Sequence, residues 1–211
     1  MARRTKEEAE QTRRQILAAA RETFHSRGVG NTSLEHIAQA AGLTRGAIYW
    51  HFANKEQLFK AMCQEVTIPL VDQMDYTLLQ DPHADPLQRV ANFLMQFVAA
   101  LSQNSSLLST MEILNFKCEF VGELARDLTD YIERNEECLA KLQQAYLAAS
   151  RAQQLRPGLT PKLAALETLV FLTGLLRLRL LGVPAFQKCP ELKALIAAHV
   201  DSRRLCLKSA G

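Results

Sequence analysis

Residues 42 to 52 read GLTRGAIYWHF, and ANK follows. Arg45 carries a planar guanidinium whose donor fork matches the O6 and N7 acceptors of guanine. Gly46 beside it has no side chain, so the backbone can approach a partner closely, at a cost of about 1 kcal/mol in helix propensity relative to alanine. Tyr49, Trp50, His51 and Lys55 add polar tips at short helical spacing, suited to phosphate oxygens that fix register without reading sequence. Thr44 can cap a helix start whose N–H groups favour an anion. The chemistry on offer is recognition of a polyanion rather than bond making. Plain structural uses exist too: Trp50 can fill a core, and His51 can be a hydrogen-bonded framework residue.

No catalytic constellation competes with this reading. The five histidines (25, 36, 51, 83, 199) are scattered, and neither a glycine-rich phosphate loop nor a nucleophile-base signature occurs. Five cysteines (63, 118, 138, 189, 206) form no close pair, which fits neither a zinc site nor a secreted disulfide framework. Cys118 adjoins Glu119, a neighbour that raises a thiol pKa rather than lowering it. The expectation is a non-enzymatic, reduced, cytoplasmic protein without metal or cofactor. MARRTKEEAEQTRR has no apolar stretch of the kind a signal peptide needs, and the most apolar window, 163–181, includes Glu167, Arg177 and Arg179, which argues against a membrane partner. Charge is unevenly placed. Residues 1–60 hold ten Lys/Arg against six Asp/Glu, a net of +4, while the rest nets −1. A basic head on a near-neutral body is the footprint of a polyanion partner.

The elements that must position these residues follow from periodicity. The chain has 211 residues, 48% of them hydrophobic, and most windows show helical spacing, so the expected class is all-α. Ile16, Leu17, Ala20 and Phe24 mark a first helix over 7–27, stopped by Gly28 and Gly30. Thr32 is the expected N-cap of a second, with Glu35 completing a capping box, and Leu34, Ile37, Ala38 and Ala41 as its buried stripe. Gly42 ends it. Thr44 caps a third helix with Ile48 and Phe52 inward, and Asn54, with Gln57 three residues on, caps a fourth from Lys55 into the seventies. Two helices joined by a tight glycine turn, the second short and polar outward, make a helix-turn-helix, though an ordinary three-helix bundle shares the pattern. Further helices are expected at 86–103, 106–118, 121–153, 161–181 and 190–206. The helix over 161–181 is apolar almost all round and needs cover on more than one side. A second copy, or the centre of a larger monomeric bundle, supplies it.

The run TSLEHIAQAAGLTRGAIYWHFANKEQLF (32–59), preceded by ILAAARETFHSRGVGN (16–31), resembles the DNA-binding head of the TetR family of one-component transcriptional regulators. MARRTKEEAEQTRRQIL and MEILNFKCEFVGEL (111–124) are similar to the branch that represses multidrug efflux pump operons. The resemblance implies an N-terminal helix-turn-helix head of three helices and a larger C-terminal helical bundle, about nine helices in all. Residues 1–54 would bind DNA; 55–211 would bind ligand and dimerise. It implies a homodimer, paired through helices near 161–181 and 190–206, on a pseudo-palindromic double-stranded operator. DNA contacts would be Ser33, Thr44, Arg45, Gly46, Tyr49, Trp50, His51 and Lys55, with Arg3, Arg4 and Lys6 as an arm. A small hydrophobic or amphipathic inducer would meet Met111, Asn115, Phe116, Phe97, Leu172 and Thr173, each of which also fits ordinary core packing. Induction would swing the heads out of the spacing of about 34–36 Å between successive major grooves. Cysteine oxidation or a partner protein is the alternative trigger.

Overall fold

The computed structural model describes residues 6–81, 84–119, 125–187 and 189–205; Arg3 and Arg4 lie outside them. Among the described residues there are nine α-helices and no β-strand beyond one isolated bridge. Helix α1 (Lys6–Arg27) buries Ile16, Leu17, Ala20 and Phe24, and Gly28 stops it at φ +82°, a left-handed turn that favours glycine. Helix α2 (Leu34–Ala40) begins one residue later than its sequence suggests. Its N-cap is Ser33, whose Oγ accepts from the His36 N–H at 3.2 Å while His36 Nδ1 accepts from the Ser33 N–H at 3.2 Å. Thr32 instead turns inward, 3% exposed, and donates to the Gly28 carbonyl at 2.7 Å. Burial of that hydroxyl leaves the capping to its neighbour, and Glu35 is released from the box. Gly42, at φ +64°, makes the turn into α3 (Arg45–His51). Helix α4 (Lys55–Asp75) opens with Asn54 Oδ1 accepting from the Gln57 N–H at 2.8 Å and Gln57 Oε1 accepting from the Ala53 N–H at 2.6 Å.

The chain divides into two compact units. One holds the described residues of 1–69 and 104–129; the other holds those of 70–103 and 130–211. In the first, α1 to α3 and the start of α4 are joined by α6 (Ser105–Glu112) and a π-helical turn, Ile113–Lys117. One apolar cluster runs through Ile16, Phe24, Val29, Ile37, Ile48, Phe59 and Ile113, with Phe24 edge-on to Phe59 at 5.6 Å. Arg21 stitches it together: Nε donates to Thr110 Oγ1 at 3.1 Å, and Nη2 pairs with Glu65 at 2.7 Å. His25 Nε2 meets Glu112 Oε2 at 2.6 Å, and the Val29 N–H donates to the Lys117 carbonyl at 2.9 Å. A single helix was expected over 106–118; the regular α-helix ends at Glu112, where the wider turn takes over.

The second unit is built from α5 (Pro86–Gln103), most of α7 (Ala125–Arg151), α8 (Pro161–Leu180) and α9 (Cys189–Asp201). Helix α9 stops short of the expected residue 206 because the chain turns to pair with the end of α7. The Leu205 N–H donates to the Gln154 carbonyl at 2.7 Å, and Arg204 bridges Leu155. A polar chain runs through the apolar interior from the Tyr146 hydroxyl to Thr168 Oγ1 (2.7 Å) and on to His199 Nε2 (3.0 Å). His199 also stacks on Phe171 with ring centroids 3.9 Å apart. Burial first, and the Arg203 charge second, push the His199 pKa down to about 4. The unfolded chain titrates near the ordinary 6.5, so between those values the unfolded state binds more protons than the folded one. Stability from this group is therefore complete above the unfolded pKa and is lost as pH falls from 6.5 towards 4. The melting temperature should drop across that window, and less steeply in His199→Gln; parallel drops would show that His199 plays no part.

Among the described residues no helix is long and apolar enough to cross a membrane. No group of three His, Cys, Asp or Glu side chains among them could hold a metal ion.

Candidate nucleic-acid interface

Helix α3 is seven residues long and cannot hold itself together in water, so its position comes from capping and anchoring. Thr44 Oγ1 accepts from the Ala47 N–H at 3.2 Å. Ile48, 0% exposed, and Phe52, 3% exposed, pin the helix to the head's core. The residues between and before them face outward: Thr44, Arg45, Gly46, Tyr49 and Trp50 are all exposed. Trp50 is 68% exposed, so of its two readings the core one is dropped. Its ring meets His51 edge-on at 4.5 Å, while His51 is half-buried and leans on Phe52 at 6.2 Å.

Four of the candidate residues converge. Ser33, Arg45, Tyr49 and Lys55 line one groove of about 330 Å³ with Thr32, Leu34, Glu35, Ala53 and Asn54. Lys55 Nζ donates to the Val29 carbonyl at 3.0 Å, which holds the ammonium at the groove and leaves it further donors. Arg45 lies over the Tyr49 ring, 5.3 Å from its centroid, with Nη2 donating to the hydroxyl at 3.2 Å. That hydrogen bond, and then the Tyr49 and Glu35 charges, raise the Arg45 pKa above its ordinary value. Thr32, Glu35 and Asn54 are the groove residues that the sequence assigned to capping alone. The available signal for Glu35 was a lone carboxylate between the basic residues of the head.

Gly46 is the telling position. A Cβ placed on it would meet nothing closer than Thr44 Oγ1, at 3.9 Å, which is ordinary contact. The backbone there is not left-handed, and the residue is exposed. The fold of the chain makes no use of the missing side chain.

The candidate ligand residues are divided between the units. Met111, Asn115 and Phe116 belong to the first: Met111 packs on the head's apolar cluster, and Asn115 Nδ2 donates to the Met111 carbonyl at 2.8 Å. Phe97, Leu172 and Thr173 belong to the second. Phe97 and Leu172 are buried there, whereas Thr173 is exposed and donates its hydroxyl to the Leu169 carbonyl at 2.9 Å.

Comparison with known proteins adds a second line of observation. Residues 16–62 match the family described as bacterial regulatory proteins, tetR family, and residues 85–204 match the C-terminal region of the MAATS-type transcriptional repressors. The HTH-type transcriptional regulator TtgR of Pseudomonas putida is 33% identical over 205 residues, covering 97% of each chain. The crystal structure of NalD, the secondary repressor of the MexAB-OprM multidrug efflux pump in Pseudomonas aeruginosa, is similar with a TM-score of 0.82 at 31% identity, over 96% of this chain and 100% of that one. SmeT, the repressor of the Stenotrophomonas maltophilia multidrug efflux pump SmeDEF, is similar in its triclosan complex, with a TM-score of 0.78 at 28% identity over 94% of this chain and 93% of that one.

Proposed function

The chain belongs to the tetR family of bacterial regulatory proteins, with a MAATS-type repressor C-terminus, and from that premise we propose that it silences a multidrug efflux pump operon. A homodimer holds a pseudo-palindromic operator, and a bulky hydrophobic or amphipathic compound in the body releases it. As a member of a family of transcriptional regulators the protein is not an enzyme, and it works in the cytoplasm. Residues 1–54 bind DNA and residues 55–211 bind ligand and dimerise. Thr44, Arg45, Gly46, Tyr49 and Trp50 enter or border the major groove; Ser33, His51 and Lys55 take phosphates, and Arg3 and Arg4 are further DNA contacts. The observation that carries this reading is the unused space at Gly46 beside an exposed arginine. Phe97, Met111, Asn115, Phe116, Leu172 and Thr173 are the candidate contacts for the inducer, in keeping with the named pump repressors among the relatives.

The two copies meet through α8 and α9. Leu163, Leu166, Val170 and Leu178 make an exposed apolar stripe on α8 that its C-cap Leu181 extends, and Leu195 is exposed on α9. Small-molecule induction is favoured over oxidation at Cys138, since burial pushes that thiol up to about 11 and keeps it protonated at neutral pH.

The test begins with a duplex that the full-length protein enriches from a randomised pool. At physiological salt it should bind roughly a thousandfold or more tighter than a scrambled duplex. Triclosan, the compound present in the SmeT complex, should weaken that affinity by the same factor by which the duplex weakens triclosan binding. Equal affinity for enriched and scrambled DNA would refute sequence-specific repression.

A further inference from the structure

Resting on the DNA-binding reading above, we propose that Tyr49 is a positioning residue for Arg45. Its ring and hydroxyl hold the guanidinium where it reads a base, so Tyr49 sets sequence discrimination through its neighbour.

Arginine is a costly reader when it hangs free. Its side chain carries about 2 kcal/mol of rotamer entropy, which must be surrendered when the fork engages a base. An arginine already held in place surrenders less, and the saving appears as affinity for the correct base pair. Arg45 and Tyr49 stand four residues apart on α3 and so share a face. Two independent contacts join them: the guanidinium over the ring at 5.3 Å, and Nη2 donating to the hydroxyl at 3.2 Å. The turn of helix that carries Tyr49 is fixed, because Ile48 next to it is fully buried. The hydroxyl occupies one donor of Nη2, and the other guanidinium donors remain for a bidentate pair. Glu35, which lines the same groove, favours the cation there. A tyrosine that only touched phosphate would need none of this geometry.

The probes are the enriched duplex and a set of its single-base-pair variants, bound to full-length protein at several salt concentrations. Four proteins are compared with the unmutated one: Arg45→Ala, Tyr49→Phe, Tyr49→Leu, and Arg45→Ala combined with Tyr49→Phe. Arg45→Ala should abolish discrimination at one base pair of each half-site. Tyr49→Phe should relax discrimination at that same base pair by roughly three- to tenfold, the worth of one hydrogen bond. Tyr49→Leu, which also lacks the aromatic face, should relax it further. The double variant should read no worse than Arg45→Ala, and the salt slope of the two tyrosine variants should match the unmutated protein. A uniform loss for every duplex with a shallower salt slope makes Tyr49 a phosphate contact and overturns the proposal. Unchanged discrimination, or relaxation at a different base pair, overturns it as well. Failure to enrich any duplex would instead bring down the DNA-binding reading on which the proposal stands.

Discussion

Gly46→Val should cost roughly a hundredfold or more in affinity for the enriched duplex while the melting temperature holds steady or rises slightly. The two halves of this expectation come from different physics. Inside the chain, a valine at position 46 gains helix propensity over glycine by a few tenths of a kcal/mol. It also finds open space, because its Cβ meets only Thr44 Oγ1 at 3.9 Å. Nothing in the head lies closer to that Cβ. Against DNA the same three carbons stand between the first turn of α3 and the base edges. They hold the helix away from Arg45's acceptors and from the phosphates on either side, and both half-sites suffer at once. Gly46→Ala should fall between, since one methyl group displaces the helix less. Fluorescence anisotropy with a labelled duplex and thermal denaturation settle the matter together. Undiminished binding by the valine variant would show that the gap at Gly46 is not where DNA sits. A collapsed melting temperature would show that the fold needs the glycine after all.

In the proposed homodimer, Val170→Asp should part the two copies and, with that, remove most operator affinity. Val170 is 72% exposed, the most exposed large apolar side chain among the described residues. It stands in the stripe with Leu163 and Leu166 before it and Leu178 and Leu181 after it. On a lone chain an aspartate there sits in water and costs the fold little. Between two copies it would be a carboxylate stripped of solvent, a penalty of several kcal/mol counted twice by symmetry. Losing the partner head removes the effective concentration that links the half-sites, which is worth about 10²- to 10⁴-fold. Sedimentation velocity at micromolar protein, followed by duplex binding, tests both halves. A variant that stays dimeric would place the interface elsewhere, and α8 would then need another explanation for its apolar outer face.

The elements of the head were legible because each has a local signature. Glycines 28 and 42 mark helix ends, Thr44 and Asn54 carry side-chain caps, and Ile48 and Phe52 stand at the spacing of a buried face. The exchange of Thr32 for Ser33 as the cap of α2 was not legible. Two adjacent hydroxyls are equivalent until burial of one of them is known, and burial is a tertiary fact. The same holds for the early end of α9, where hydrogen bonds to Gln154 and Leu155 outweigh a helical pattern that runs on. At the candidate interface, the residue types on α3 announced an anion partner, but the Arg45–Tyr49 pairing needed side-chain directions that spacing alone leaves open. Arg21, in sequence one more basic residue of the head, is 8% exposed and structural.

Residues far along the chain complete the core of the head. Ile113, fully buried, and Leu114 belong to the same cluster as Phe24 and Phe59, and Thr110, Glu112 and Lys117 each bond to α1 or the turn after it. Anyone building a chimera from this regulator therefore cannot transplant its reading module as one continuous cassette. A splice after residue 69 that swaps everything downstream leaves Arg21 without Thr110 and His25 without Glu112, and an oily scar along α1. The graft must carry two strips of sequence, with 104–117 travelling beside the N-terminal one.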